Sequence, residues 1–109
     1  MRIVQKKSLG QNFLTDQKII KQIVDIENIN NQVSVIEVGP GNGSLTKKIL
    51  EKKPKDFSVV EKDERLCKFL NEKFGNEIKI INDDMLNISY DLLLKENSII
   101  FGNLPYNIS

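Results

Sequence analysis

Residues 33–46 read Val-Ser-Val-Ile-Glu-Val-Gly-Pro-Gly-Asn-Gly-Ser-Leu-Thr, which is an apolar run followed by three closely spaced glycines. The first six residues are mostly β-branched and do not alternate between polar and apolar positions. This pattern is typical of a strand buried on both faces of a parallel sheet. Residues 44–53 have helical spacing and stop before Pro54. A strand, a glycine turn and a helix in this order predict the first half of a nucleotide-binding βαβ unit.

The spacing of the glycines narrows the choice of ligand. Gly39, Gly41 and Gly43 form a G-x-G-x-G pattern, one residue shorter than the G-x-G-x-x-G fingerprint of dinucleotide-binding proteins. The longer spacing aims a helix N-terminus at a pyrophosphate. The shorter loop resembles that of the S-adenosylmethionine-dependent methyltransferases, whose cofactor carries no phosphate. A tight strand-to-helix turn without a ligand has the same residues, so the glycine loop alone leaves both interpretations open.

Composition excludes several classes of protein. The 109 residues include 16 Lys and Arg against 15 Asp and Glu, so any RNA-binding surface has to be local. A single cysteine, Cys67, excludes an internal disulfide and fits a reducing compartment. The absence of histidine excludes His-based triads and His metal ligands, and we expect no metal. We find no membrane-length apolar run and no signal peptide, and we expect a cytoplasmic protein without a membrane partner.

The rest of the chain alternates between helical and strand patterns. We expect residues 1–15 to be irregular and residues 85–96 to hold a loop and a short helix near 91–95. Helices are predicted at 16–27, 44–53 and 62–74, and strands at 33–38, 57–61, 78–81 and 98–101. This alternation predicts an α/β fold with a doubly wound, mostly parallel sheet.

The last predicted strand, the fourth, lies close to the final residue, Ser109. A sheet of this kind needs a further crossover helix and strand to cover its apolar faces and its edge. We therefore expect residues 1–109 to be the N-terminal part of a longer protein, truncated after the fourth strand. We also expect that strand to have an uncovered edge, which would lower stability.

Ligands of open α/β sheets bind beyond the carboxyl ends of the strands. Four predicted strand ends should converge there, at residues 39–43, 61–63, 82–84 and 103–106. Glu61 is placed to accept both hydroxyls of a ribose, with a solvated strand-end charge as the alternative. Asp84 is placed to accept from the N6 amino group of an adenine and Met85 to pack on its ring, although Asp83 competes with Asp84 for this role.

Residues 103–106, Asn-Leu-Pro-Tyr, form the most specific motif. An exocyclic adenine amine is a poor nucleophile because its lone pair is delocalised into the ring. The Asn103 side-chain oxygen and the Leu104 carbonyl can each accept one N–H and align the nitrogen for in-line attack on a sulfonium methyl group. Pro105 makes the turn rigid, and Tyr106 offers a flat face for an extruded base. A proline turn that merely caps a strand is the alternative, which four fitting residues make less favourable.

Five motifs, in order, resemble those of the ribosomal RNA adenine N6,N6-dimethyltransferase family, and especially its small-subunit members. They are residues 7–14 (Lys-Ser-Leu-Gly-Gln-Asn-Phe-Leu), 36–41, 60–63, 84–85 and 101–109. The residue at position 104 is leucine rather than isoleucine, and in this respect the chain resembles the small-subunit members more closely. The relatives that methylate large-subunit RNA and confer antibiotic resistance therefore resemble the chain less.

The resemblance implies a Rossmann-like S-adenosylmethionine-dependent methyltransferase that releases S-adenosylhomocysteine. Its implied reaction is N6,N6-dimethylation of two adjacent adenosines near the 3′ end of small-subunit ribosomal RNA, in an immature subunit, by a monomeric full-length protein. Residues 1–15 would be a cofactor-binding segment and residues 16–109 a βα core. The last strands and a helical RNA-binding domain would lie outside this sequence. The resemblance places seven residues at the cofactor: Asn12, Leu14, Gly39, Gly41, Glu61, Asp84 and Asn103.

Two further functions compete with a methyltransferase. A non-catalytic ribosome-assembly factor would use the cofactor site only structurally, and the intact Asn103 and Tyr106 argue against this as the sole role. A nicotinamide oxidoreductase is disfavoured by the G-x-G-x-G spacing and by the absence of histidine.

Overall fold

A parallel sheet organises the fold in the computed structural model, which describes residues 2–4, 17–90 and 97–102. Its strands are, in chain order, β1 (Arg2–Val4), β2 (Ser34–Val38), β3 (Asp56–Glu61), β4 (Lys79–Asn82) and β5 (Ser98–Phe101). Their spatial order is β1-β5-β2-β3-β4, and every pairing is parallel. The predicted parallel α/β class is confirmed.

Among the described residues, three helices connect the strands: α1 (Gln17–Ile26), α2 (Ser44–Glu51) and α3 (Glu64–Phe74). Short 3-10 turns follow at Gly75–Glu77 and Met85–Asn87. The start of α3 is fixed by Asp63, whose side chain accepts a hydrogen bond from the Arg65 N–H at 2.8 Å. These bounds closely match the predicted ones. Within the described ranges, none of the helices has the length and apolar content that crossing a membrane requires.

The side chains of the strands alternate between two buried layers. Along β2, Val35 packs with the helices, whereas the next residue, Ile36, lies in the opposite layer, as the two-residue period of a strand requires. The helix layer takes apolar residues from all three helices, among them Ile20, Leu45, Ile49, Leu70 and Phe74. In the described part of the chain, the opposite layer is covered by Met85, Ile88 and Tyr90.

Strand β1 corrects the expectation that residues 1–15 are irregular. It pairs in parallel with β5, with Ile3 opposite Ile100, and the Gly102 N–H donates to the Val4 carbonyl at 2.9 Å. Three residues are too few to show a period, and the partner strand is distant in sequence, so the pattern of residues 2–4 could not reveal the pairing. Residues 5–16 lie outside the described part.

Strand β5 corrects a second expectation. It is the fourth strand predicted from the sequence but the fifth in the sheet, and it lies between β1 and β2. All four of its residues are buried. The predicted uncovered edge at this strand is therefore wrong, because β1 covers it.

The glycine loop, residues 39–43, packs against α3. Gly43 has a φ of 85°, and a Cβ on it would lie 2.7 Å from Cε2 of Phe74 and 3.2 Å from Cδ2 of Leu70. The Lys73 ammonium also donates to the Asn42 carbonyl at 3.3 Å. Leu70 and Phe74 are thus buried, whereas Phe69 on the same helix is 44% exposed.

Gly43→Ala should lower the free energy of unfolding by about 2–5 kcal/mol, because it adds overpacking to a left-handed backbone. Gly75→Ala is the matched control. Gly75 also has a positive φ, of 56°, but a Cβ there would meet nothing within 4 Å, so only a backbone cost of about 1–3 kcal/mol remains. Urea unfolding followed by circular dichroism measures both losses. Equal losses would show that α3 does not constrain the loop.

Candidate functional site

The carboxyl ends of β2, β3 and β4 meet at one edge of the sheet. These strands are parallel neighbours, so residues 39–43, 61–63 and 82–84 lie side by side, as predicted. The fourth predicted loop, residues 103–106, lies outside the described part of the chain. Gly102, which directly precedes it, follows β5 beside β2.

The glycine loop presents backbone to this edge. Gly39 and Gly41 have φ values of 70° and 59°, and a Cβ on Gly39 would meet nothing within 4 Å. The space in front of Gly39 is therefore open to a ligand. At the start of α2, the Asn42 side-chain oxygen accepts from the Ser44 N–H at 3.0 Å and from its hydroxyl at 2.8 Å. That helix N–H donor is consequently already used.

Glu37 lies behind the glycine loop and was not predicted to have a role. It is fully buried, and its carboxylate accepts a hydrogen bond from the Thr46 hydroxyl at 2.5 Å. This bond ties β2 to α2 across the helix layer. An acidic residue inside an otherwise apolar strand was the available signal, because a buried carboxylate requires a donor.

One carboxylate oxygen of Glu61 is fixed by a backbone hydrogen bond, and the other is exposed at the edge of the sheet. Its Oε2 accepts from the Asp63 N–H at 2.9 Å. Its Oε1 accepts no hydrogen bond from the described residues. Every buried side-chain oxygen of these residues has a hydrogen-bond partner, so Oε1 must be accessible to solvent. Glu61 itself is only 8% exposed. The geometry suits an acceptor for a diol, and the ribose role stays a prediction.

Asn82, at the end of β4, holds the turn that follows Glu61. Its side-chain N–H₂ donates to the Glu61 carbonyl at 3.0 Å and to the Lys62 carbonyl at 3.1 Å. The Asp83 N–H also donates to the Glu61 carbonyl, at 3.1 Å. The half-buried thiol of Cys67 donates to the same oxygen at 3.4 Å, and burial, followed by the Glu61 charge, raises its pKa. Cys67 therefore has a structural role in this turn.

Asp84 is better placed than Asp83 to bind a ligand. The Asp83 carboxylate accepts from the Asp84 N–H at 2.7 Å and from the Asn87 amide at 3.1 Å, so it stabilises its own turn. Asp84 Oδ1 accepts from the Leu86 N–H at 2.9 Å. Asp84 Oδ2 lies 3.6 Å from the Lys62 ammonium, whose side chain is 79% exposed. An exposed ion pair is weak, so Oδ2 is available to a ligand.

Tyr90 holds Met85, the residue after Asp84, and no role was predicted for Tyr90 from the sequence. Its hydroxyl donates to the Met85 carbonyl at 2.9 Å. Burial, and then the nearby charge of Asp84, raises the pKa of Tyr90 above its usual value of 10.0. Met85 is half-buried against the same layer. Nothing in its spacing distinguished Tyr90 from an ordinary core aromatic residue.

Several predicted site residues lie outside the described part of the chain: Asn12, Leu14, Asn103, Leu104, Pro105 and Tyr106. The described residues bring together Gly39, Gly41, Glu61 and Asp84. Among residues 2–4, 17–90 and 97–102, no group of three or more acidic or cysteine side chains is arranged to hold a metal ion.

A parallel sheet with a glycine loop and two carboxylates at its strand ends defines a Rossmann-like nucleotide-binding fold. Residues 3–109 match the family model described as ribosomal RNA adenine dimethylase, and the chain belongs to that family. This confirms the resemblance seen in the five motifs.

Similar proteins agree with the family. The chain is 54% identical over its whole length to ribosomal RNA small subunit methyltransferase A of Pelagibacter ubique, covering 41% of that protein. It is 41% identical to the protein of the same name from Prosthecochloris aestuarii, over 98% of this chain and 41% of the relative. The crystal structure of the 23S rRNA methyltransferase ErmE superposes with a TM-score of 0.69 at 32% identity, over 89% of this chain and 39% of that one. The chain therefore spans about two fifths of the length of these relatives.

Tyr90→Phe should change how stability depends on pH. Because the pKa of Tyr90 is raised in the folded protein, the protonated phenol favours folding below pH 10. That contribution is lost as the pH rises through the folded pKa. The variant lacks the hydrogen bond to Met85, so at pH 7 it should be less stable by about 0.5–1.5 kcal/mol. The difference between the two proteins should shrink above about pH 10, in urea unfolding at several pH values. A difference that does not vary with pH would contradict the assignment.

Proposed function

We propose that this chain is the cofactor-binding, N-terminal part of an S-adenosylmethionine-dependent enzyme. Its reaction is N6,N6-dimethylation of two adjacent adenosines near the 3′ end of small-subunit ribosomal RNA. The observation that carries the cofactor assignment is Glu61, which has one carboxylate oxygen fixed and the other open beside the glycine loop. Membership of the dimethylase family supports the RNA substrate.

The residues present fit S-adenosylmethionine better than a dinucleotide. The Ser44 N–H at the start of α2 is occupied by Asn42, so it is not free to bind a pyrophosphate there. The backbone at Gly39 and Gly41 can approach the methionine part of the cofactor closely. Glu61 Oε1 would accept the ribose hydroxyls and Asp84 Oδ2 the adenine amino group. Both acceptors are open among the described residues, apart from the exposed Lys62.

The catalytic part of the proposal rests on residues 103–106, with Asn12 and Leu14 completing the cofactor site. The cofactor supplies the electrophilic methyl group. The Asn103 side-chain oxygen and the Leu104 carbonyl accept the two N–H groups of the target adenine, and they direct its nitrogen at the methyl carbon. Pro105 keeps the two acceptors in place, and Tyr106 stacks on the extruded base. The transferred methyl group replaces a proton, which is lost to solvent.

The similar proteins favour the small subunit as the source of the RNA. Two relatives named for the small subunit are 54% and 41% identical to the chain, whereas the 23S rRNA enzyme is 32% identical. A large-subunit target is therefore the weaker alternative. We further propose that the RNA partner is an immature small subunit in the cytoplasm, and that the enzyme is monomeric.

Glu61→Ala should weaken S-adenosylhomocysteine binding by about 1–3 kcal/mol, because the ribose hydroxyls lose their acceptor. Glu72→Ala is the matched control, since Glu72 is an exposed glutamate on the adjacent helix, α3. Calorimetric titration of the wild-type chain and both variants measures the affinities, and a parallel titration with NAD should show no binding. Unchanged affinity in Glu61→Ala would remove Glu61 from the ribose role.

Asn103→Ala should slow methyl transfer by ~10²–10³ while leaving RNA binding intact, because its oxygen is needed most as charge develops on the nitrogen. The test is a single-turnover assay of the full-length enzyme on immature small subunits. A near-normal rate would refute the catalytic assignment.

Tyr106→Ala should act on substrate binding and raise KM. The increase should correspond to a loss of about 1–3 kcal/mol of binding free energy, which is the value for stacking one base on an aromatic ring. Tyr106→Phe keeps the ring and should be mild. Steady-state kinetics of the two variants separates the ring from the hydroxyl. An inactive Tyr106→Phe would mean that the hydroxyl carries the function.

A further inference from the structure

Asn82 lies at the end of β4, directly opposite Glu61 in the parallel register. We propose that Asn82 is a positioning residue, which aims the Glu61 carboxylate at the ribose by holding the backbone of the turn after β3. This inference rests on the proposed function, because it presupposes that Glu61 binds the cofactor. The proposed role of Asn82 includes no contact with a ligand, and its effect on cofactor affinity would pass through Glu61.

The argument begins with one peptide group. The Glu61 carboxylate is oriented by the Asp63 N–H, which donates to Oε2 at 2.9 Å. That N–H belongs to the same planar peptide as the Lys62 carbonyl, so fixing the carbonyl also fixes the direction of the N–H. The Asn82 side chain donates to the Lys62 carbonyl at 3.1 Å. The orientation of the Glu61 side chain therefore depends on Asn82 through a single rigid unit.

The preceding peptide group is held from the same side. Asn82 donates its second N–H to the Glu61 carbonyl at 3.0 Å. Two successive carbonyls of the turn are thus fixed to the end of the neighbouring strand by one side chain. The Glu61 carbonyl has further donors in the Asp83 N–H and the Cys67 thiol, whereas no other described residue donates to the Lys62 carbonyl. Loss of Asn82 should consequently release the second peptide far more than the first.

The chemistry of the position requires an amide. Both partners are carbonyl oxygens, and a side-chain NH₂ offers two N–H donors from one nitrogen. Serine would offer one donor, and aspartate would set a negative charge against two acceptors. Asn82→Asp keeps the size of the side chain but replaces its donors with a negative charge, which makes it the most informative variant beside Asn82→Ala.

The first measurement is the affinity for S-adenosylhomocysteine, by calorimetry on the chain. Asn82→Ala should raise Kd by about threefold to tenfold, the effect of losing one exposed hydrogen bond, and Asn82→Asp should raise it further. Asn97→Ala is the matched control, because Asn97 donates to the Gln32 carbonyl at 3.1 Å, at the opposite ends of the strands. Its affinity should equal that of the wild type. Equal affinities for Asn82→Ala and the wild type would overturn the inference.

A double-mutant cycle separates positioning from a general loss of stability. In a Glu61→Ala background, Asn82→Ala should change Kd by less than about twofold, since the carboxylate that it positions is gone. Fully additive effects would show that Asn82 acts independently of Glu61 and would overturn the inference. If Glu61→Ala itself binds normally, the ribose assignment fails first, so the two failures are distinguishable.

Amide hydrogen exchange tests the inference without a ligand, so this test does not depend on the affinity for S-adenosylhomocysteine. The Asp63 amide should exchange with deuterium faster in Asn82→Ala and Asn82→Asp than in the wild type, while amides in β2 should be unchanged. Unchanged exchange at Asp63 in both variants would mean that Asn82 does not hold this peptide, and would overturn the inference.

Discussion

The parallel pairing of β2 with β3 on one side and β5 on the other is the constraint on which the site depends. The register sets Val38 beside Val60 and Glu37 beside Phe101, so neighbouring strands end at nearly the same height. Each strand end then contributes one loop to the same edge. A shift of one residue in this register would move every side chain of a strand to the other face, and it would also separate the loops that form the crevice.

The sheet buries the carboxyl group of Glu37, and the hydrogen bond that this group accepts from Thr46 helps to define the position of α2. Glu37 is 0% exposed, and burying a carboxyl group is costly unless donors satisfy it. The hydrogen bond from Thr46 supplies a donor and has a direction, unlike the apolar contacts around it. Apolar packing of Leu45 and Ile49 fixes the depth of α2 on the sheet, and the Glu37–Thr46 bond fixes its rotation. These two interactions together set the position of the start of α2, and therefore that of the glycine loop before it.

The elements with several repeats of their pattern were predictable from the sequence. The strand and helix around the glycine loop and the α3 helix match the structure closely, because burial enforces their periodicity. β1 was not predictable, since three residues carry no period and its pairing with β5 is non-local. Glu61 and Asp84 could be proposed as binding residues because strand ends are where ligands bind, and their roles at the cofactor stay predictions. Asn82 and Tyr90 could not, because their roles depend on which carbonyl the tertiary register brings within hydrogen-bond distance.

Glu61 and Asp84 share one arrangement, which explains why acidic residues suit these two strand ends. In each, one carboxylate oxygen accepts the backbone N–H two residues further along the chain, from Asp63 and from Leu86. Such a local bond closes a small turn and restricts the side chain before any ligand arrives. The second oxygen of each carboxylate then has a nearly fixed direction, so a ligand that binds it orders little further side-chain motion. Because β3 and β4 are adjacent, a ligand that engages both oxygens must span the ends of two neighbouring strands. An adenosine meets this requirement, since its ribose hydroxyls and its amino group lie at opposite ends of the molecule.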